Sequence, residues 1–188
     1  LAAEIDGERL TDIELLGFCI LLLIAGNETT TNLIGNAILC FDEHPEVYEQ
    51  LRATPELLPS AIEEVLRYRS PVQAMERVAL MDVELDGQRI PADERIIAYM
   101  GSANRDEEQF PDADRFDITR MPNRHLAFGY GIHFCIGAPL ARLEARIALG
   151  AMLARLRDIR RVPEAQLEPL RSFIVYGVRH LPVTFQPA

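Results

Sequence analysis

The chain has 188 residues, 48% of them hydrophobic and 26% charged, enough for one globular domain with a sizeable core and unlike a disordered chain. Its net charge is −10, and all 19 basic residues are arginine. An acidic chain without a basic block is a poor partner for nucleic acid or an anionic membrane surface. The three cysteines, Cys19, Cys40 and Cys135, form no Cys-x-x-Cys pair, which disfavours a zinc site, a disulfide scaffold and covalent haem attachment.

The opening run from Leu1 to Leu10 reads as the end of an earlier element. Thr11-Asp12-Ile13-Glu14 is a capping box. It opens a helix expected over about residues 12 to 41, apolar nearly all round at Ile20 to Ile24 and distorted where Gly26 and Thr29-Thr30-Thr31 interrupt good helix formers. Its apolar stretch, Ile13 to Ala25, is broken by Glu14 and Gly17 and reads as too short to span a membrane. With no signal peptide visible, a soluble cytoplasmic protein is the expectation. A short helix follows Pro45, and a further one carries Ile62, Val65 and Leu66 and ends before Ser70-Pro71.

From about Arg77 to Tyr99 the pattern turns to strands, with a hairpin signal at Asp86-Gly87. A helical turn is expected near Ser102 to Asp106, then a long irregular stretch from about Glu107 to Ala127. The glycine-rich run Phe128 to Gly137 leads into an amphipathic helix whose apolar members include Leu140, Leu143, Ile147, Leu149, Met152 and Leu156. The tail reads as a hairpin of Phe173 to Val178 with Leu181 to Phe185.

Cys19 and Cys40 lie in apolar helical stretches and read as small core residues. Cys135 differs. Gly129, Gly131 and Gly137 surround it and let the backbone turn tightly and approach a flat ligand closely. The helix that follows directs N–H groups and a positive dipole end towards the sulfur, which favours the metal-binding thiolate. A lone thiolate between Phe128 and Phe134 suits the axial ligand of a haem iron. Elsewhere the local readings stay open. Gly26 either opens the helix against a cofactor or caps one helix before another. Glu64 and Arg67, on one helix face, form either a surface ion pair or part of something larger.

The run Phe128-x-x-Gly131-x-His133-x-Cys135-x-Gly137 resembles the signature of the cytochrome P-450 superfamily of haem-thiolate monooxygenases. Three further motifs match in the family's order: Ala25-Gly26-x-Glu28-Thr29, Glu64-x-x-Arg67 and Pro111-x-x-x-Arg115-Phe116. The resemblance implies a mainly α fold with small β-sheets (α+β), with residues 1–188 forming the C-terminal portion of a single domain whose N-terminal helices are absent. It implies haem b as cofactor, Cys135 as the iron ligand and the rest of the loop, Phe128, Gly129, Gly131 and Gly137, as its cradle. His133 and Arg77 would serve the propionates, and Ala25 and Gly26 would lie over the haem face. Thr29 would hydrogen-bond dioxygen, and Glu28 would connect it to solvent as a proton source. Glu64, Arg67 and Arg115 would form a buried structural network. Val72 and Ala74, with Gln73 and Met75 beside them, and Ile174 and Val175, beside Phe173, would line the substrate pocket. Core packing explains these last residues equally well.

The implied activity is hydroxylation or epoxidation of a hydrophobic small molecule with O2. Electrons would come from a separate ferredoxin and its reductase, docking where Arg124, Arg142 and Arg146 could meet an acidic carrier. Four alternatives compete. They are a haem-thiolate peroxygenase or isomerase, a haem-free interaction module, a cysteine nucleophile paired with His133, and a dinucleotide loop at Gly129-x-Gly131, from which the third glycine is missing.

Overall fold

The computed structural model describes residue 4 and residues 7–188; the reading of the opening segment falls largely on residues 1–3, 5 and 6, outside that range. The expected capping box closes α1 (Asp12–Glu43): the Glu14 N–H donates to Thr11 Oγ1 at 3.3 Å and the Thr11 N–H to Glu14 Oε2 at 2.9 Å. Helix α1 runs unbroken for 32 residues, through Gly26 and past residue 41. The Thr29 hydroxyl donates to the Ala25 carbonyl at 2.8 Å and the Thr31 hydroxyl to Asn27 O at 3.0 Å, bonds onto the preceding turn of the kind that often bends a helix. The unbroken run excludes the alternative in which Gly26 caps one helix before another.

The two halves of α1 have different surroundings. Leu33, Ala37, Cys40 and Phe41, at helical spacing, are buried at the centre of the core. They pack with α2 (Pro45–Ala53), α3 (Leu58–Tyr68) and α5 (Ala138–Arg155). Ile13, Leu16 and Leu21 to Ile24 are exposed. By length and composition α1 could cross a membrane, which corrects the expectation that its apolar stretch is too short: the helix does not end with that stretch. Its second half buries Asn32 and Asn36 within the protein core. Asn36 Nδ2 donates to the carbonyls of Arg69 at 2.9 Å and Tyr176 at 3.3 Å, fastening two distant segments to the helix.

Among the described residues the strands form three two-stranded antiparallel sheets. Strand β1 (Met75–Val78) pairs with β4 (Arg95–Ala98) and encloses the hairpin of β2 (Val83–Leu85) and β3 (Gln88–Ile90). The hairpin turns at Asp86 and Gly87, with φ of 49° and 75°, as the Asp-Gly signal requires. The helical turn lies at α4 (Met100–Ala103), beginning two residues earlier and ending three earlier than expected.

The tail corrects the sequence reading. Strand β6 (Val183–Pro187) pairs with β5 (Leu156–Arg161), not with residues 173–178. Leu156 reads as helical because it stands four residues after Met152, and Ile159 is three further on. Leu156 and Ile159 face inward from a strand because Asp158, at φ 49°, lies in a register shift between Arg157 and Arg160. Residues 173–178 make only isolated bridges, Val72 with Val175 and Pro169 with Val178.

Candidate functional site

Cys135 is exposed, whereas Cys40 is buried; burial pushes the Cys40 thiol up to about 12, with Arg69 opposing, so that thiol is chemically quiet. The loop around Cys135 is held by its own backbone. Gly129 and Gly131 take φ of 72° and 70°, a region side chains disfavour, and the chain reverses there. The Gly129 N–H donates to Leu126 O at 2.8 Å, and the Phe134 N–H to Gly131 O at 3.0 Å. The Cys135 N–H donates to Phe128 O at 2.9 Å. Helix α5 begins three residues after the sulfur. A Cβ on Gly137 would stand 3.8 Å from Cys135 Sγ, so glycine keeps that side of the sulfur clear. The Phe128 and Phe134 rings lie 6.3 Å apart.

Behind the loop, Glu64 and Arg67 of α3 are fully buried and meet edge to edge, with Nε–Oε2 and Nη2–Oε1 both 2.8 Å. The guanidinium also donates to the carbonyls of Asn104 at 2.9 Å, Ala113 at 2.8 Å and Arg115 at 3.0 Å. Every N–H of its fork therefore has an acceptor. The Arg115 side chain, expected in this network, is exposed and contributes only its carbonyl. The second cation is Arg120, whose Nε lies 3.3 Å from Glu64 Oε1. Phe116 is buried against His44 and Tyr68, while Arg115, at the end of a turn closed by its N–H to Asp112 O, is left on the surface. Asn123 Nδ2 and the Asp117 N–H complete the Glu64 carboxylate at 3.0 and 2.8 Å. Asn104 Oδ1 accepts the Leu126 N–H at 2.7 Å, carrying the network to within two residues of Phe128.

A second cluster escaped the sequence reading. Glu63 accepts from Arg142 Nε and Nη2 at 2.7 and 2.8 Å and lies 3.0 Å from His125 Nε2. Burial works against the Glu63 charge, yet hydrogen bonds from Arg142 and His125, with the charge of Arg142, hold its carboxyl at about 2. The available signal was the doubled acid Glu63-Glu64: adjacent helix positions face about 100° apart and need separate partners. Arg142, expected as a free docking cation, is thereby already engaged.

The other candidates are spread around this centre. Ala25, Gly26 and Glu28 are exposed on α1, with Thr29 half-buried beside them. Nothing lies within 4 Å of a Cβ built on Gly26, so packing among the described residues does not demand a glycine there. Arg77 and His133 are exposed; among the described residues the Arg77 side chain donates only to its neighbour's carbonyl, Glu76 O, at 2.8 Å. The two candidate substrate segments are brought together: Val72 bridges Val175, and the Gln73 N–H donates to Ile174 O at 2.7 Å. Val72, Ile174 and Val175 are half-buried, but Ala74 is fully buried and offers a ligand no surface. The chain is extended there, and exposure passes to Met75 on the opposite side.

These residues fit a haem. The donor set is one accessible sulfur at the start of a helix, flanked by aromatic rings and by glycines that admit a flat ring. Ile132, Ile136 and Leu140 next to it, and the first half of α1, present uncovered apolar surface. An open groove of about 410 Å³ between α1 and α5 is lined by Gly26, Thr30 and Ile147 among others, though not by Cys135. Among the described residues no group of three or more His, Cys, Asp or Glu could hold a metal ion.

Comparison with known proteins assigns the family. The family model described as Cytochrome P450 matches residues 1–169. Cytochrome P450 109 of Bacillus spizizenii is 52% identical over 184 residues, covering 97% of this chain and 45% of the relative. Cytochrome P450 monooxygenase PikC of Streptomyces venezuelae is 48% identical over 183 residues, covering 96% and 44%. Among solved structures, CYP109E1 from Bacillus megaterium in complex with testosterone superposes with a TM-score of 0.92 at 53% identity, covering 97% of this chain and 51% of that one. The chain belongs to the cytochrome P450 family, whose cofactor is haem, and it spans about half the length of the relatives it matches.

Proposed function

We propose that residues 1–188 are the C-terminal, haem-holding portion of a single-domain monooxygenase that hydroxylates or epoxidises a hydrophobic small molecule with O2. The observation that carries this reading is the exposed sulfur of Cys135, tied through its own N–H to Phe128 at the mouth of α5. Haem with a thiolate ligand supplies an electron-rich iron that favours O–O cleavage. Cys135 provides the sulfur, while Arg77 and His133 present donors for the propionates. Ala25 and Gly26 leave room on α1. The Thr29 hydroxyl spends its donor on Ala25 O, which leaves its lone pairs to accept a hydrogen bond from a protonated oxygen. Glu28, exposed one residue earlier, would pass protons from solvent to that position. Val72, Ile174 and Val175 would offer the substrate an apolar wall.

Further elements of the domain would cover the exposed half of α1, making it an interior helix of a soluble, cytoplasmic protein rather than a membrane span. Ferredoxin and its reductase would supply electrons. With Arg142 engaged, Arg124 and Arg146 on the cysteine side, both exposed, are the residues to meet an acidic carrier. Turnover of holoprotein with ferredoxin, its reductase and testosterone as probe tests the reading through the ratio of product formed to electrons consumed. Thr29→Ala should lower that ratio while electron consumption continues; an unchanged ratio would remove Thr29 from oxygen activation.

A further inference from the structure

We propose that Glu63, His125 and Arg142 are positioning residues for the iron ligand, a clamp that sets the Phe128 ring and its carbonyl and, through them, the sulfur of Cys135. The inference rests on the haem-thiolate reading above.

Arg142 stands about one turn into α5, seven residues beyond Cys135 in the loop before the helix. Its guanidinium uses the Nε–Nη2 edge for Glu63, at 2.7 and 2.8 Å, and lays its face on the Phe128 ring, 4.5 Å from the centroid. A planar fork can do both at once; an ammonium cannot. His125 closes the other side. Its Nδ1 accepts the Ala127 N–H at 3.2 Å, which leaves Nε2 to carry the proton donated to Glu63 at 3.0 Å. The His125 side chain is 4% exposed, so this is no loose surface pair. Phe128 is thus gripped on its ring by Arg142 and along its backbone from Ala127, and its carbonyl holds the Cys135 N–H at 2.9 Å.

The neighbouring network reaches Arg120, Asn123 and Leu126; the Glu63 cluster holds His125, between the last two, and ends at the ligand loop. The two adjacent acids of α3 therefore interleave their hold on this stretch. The clamp also fixes a positive charge near the sulfur. The Arg142 pKa is raised, first by its hydrogen bond to Glu63 against the effect of burial, with the charges of Glu63 and Cys135 contributing.

The test uses haem-loaded protein and reads the reduction potential, the rate of haem loss to apomyoglobin and the thiolate fraction of the reduced carbon-monoxide complex. Arg142→Gln removes both grip and charge. It should lower the potential, because reduction adds negative charge beside a lost cation, and speed haem loss by about tenfold, as for other partners of metal ligands. Glu63→Gln leaves the cation unpaired and should shift the potential upward, an opposite sign that a merely structural role does not produce. If Arg142→Gln yields no holoprotein, Arg142→Lys decides: it keeps the charge but not the fork, so haem loss should still accelerate with little change in potential. Wild-type potential, haem retention and thiolate fraction in the variants that load haem would overturn the clamp. Failure of the wild type to show a thiolate complex would instead overturn the haem-thiolate reading beneath it.

Discussion

Arg67 and Glu64 meet through two parallel bonds of 2.8 Å with neither side chain exposed, and the guanidinium's other donors end on carbonyls of a stretch without regular structure. Such a stretch must place its backbone polar groups somewhere. Here Arg67 serves as the partner that a helix or sheet would otherwise provide. Arg67→Met takes the two-bond partner from the buried Glu64 carboxylate and leaves these carbonyls without a donor, and should cost about 3–5 kcal/mol. Arg115→Met, at an exposed side chain, should stay within about 0.5 kcal/mol. Urea unfolding of the two variants checks both values, and equal losses would restore Arg115 to the network.

The Glu63 carboxyl sits at about 2, below its ordinary 4.5, against the effect of burial and because Arg142 and His125 hydrogen-bond its charged form. Between these values the unfolded chain binds a proton that the folded chain does not. The contribution to stability is therefore complete above the ordinary value and is lost as pH falls towards the folded one. Glu63→Gln should be less stable than wild type at about pH 6, and the gap should narrow at about pH 3. Thermal unfolding at the two values measures it; a constant gap would mean that the carboxylate's charge does not matter to the fold.

Gly177 lies where any Cβ would overlap the buried Asn32 side chain of α1. Gly177→Ala should therefore destabilise the protein by about 1–3 kcal/mol. Trimming Asn32 to alanine in the same chain should recover part of the loss, because the obstructing atoms are gone. Denaturant midpoints of the single and double variants separate this from a backbone effect, under which the second substitution would bring no recovery.

How much was legible in the residues follows from the range of each signal. Local chemistry carried the capping box at Thr11, the Asp86-Gly87 turn and the glycines about Cys135, since each is decided by atoms a few residues apart. The helix-to-strand change at Leu156 was not legible, because Leu156 and Ile159 satisfy a helical spacing and a bulged strand alike. Arg115 stood beside the right phenylalanine, yet Phe116 is buried while Arg115, at the end of a turn, is left on the surface, and Glu64 is left to Arg120. The Glu63, His125 and Arg142 cluster joins three segments that only the folded chain brings together; the doubled acid was its sole trace.

The most direct measurement is the absorbance spectrum of the haem-loaded, dithionite-reduced protein under carbon monoxide, for wild type and Cys135→Ala. Wild type should give the red-shifted Soret band of a thiolate-ligated iron, and the alanine variant should lose it. A wild-type band typical of nitrogen ligation, or a thiolate band that survives in Cys135→Ala, would contradict the assignment of this sulfur as the iron's ligand.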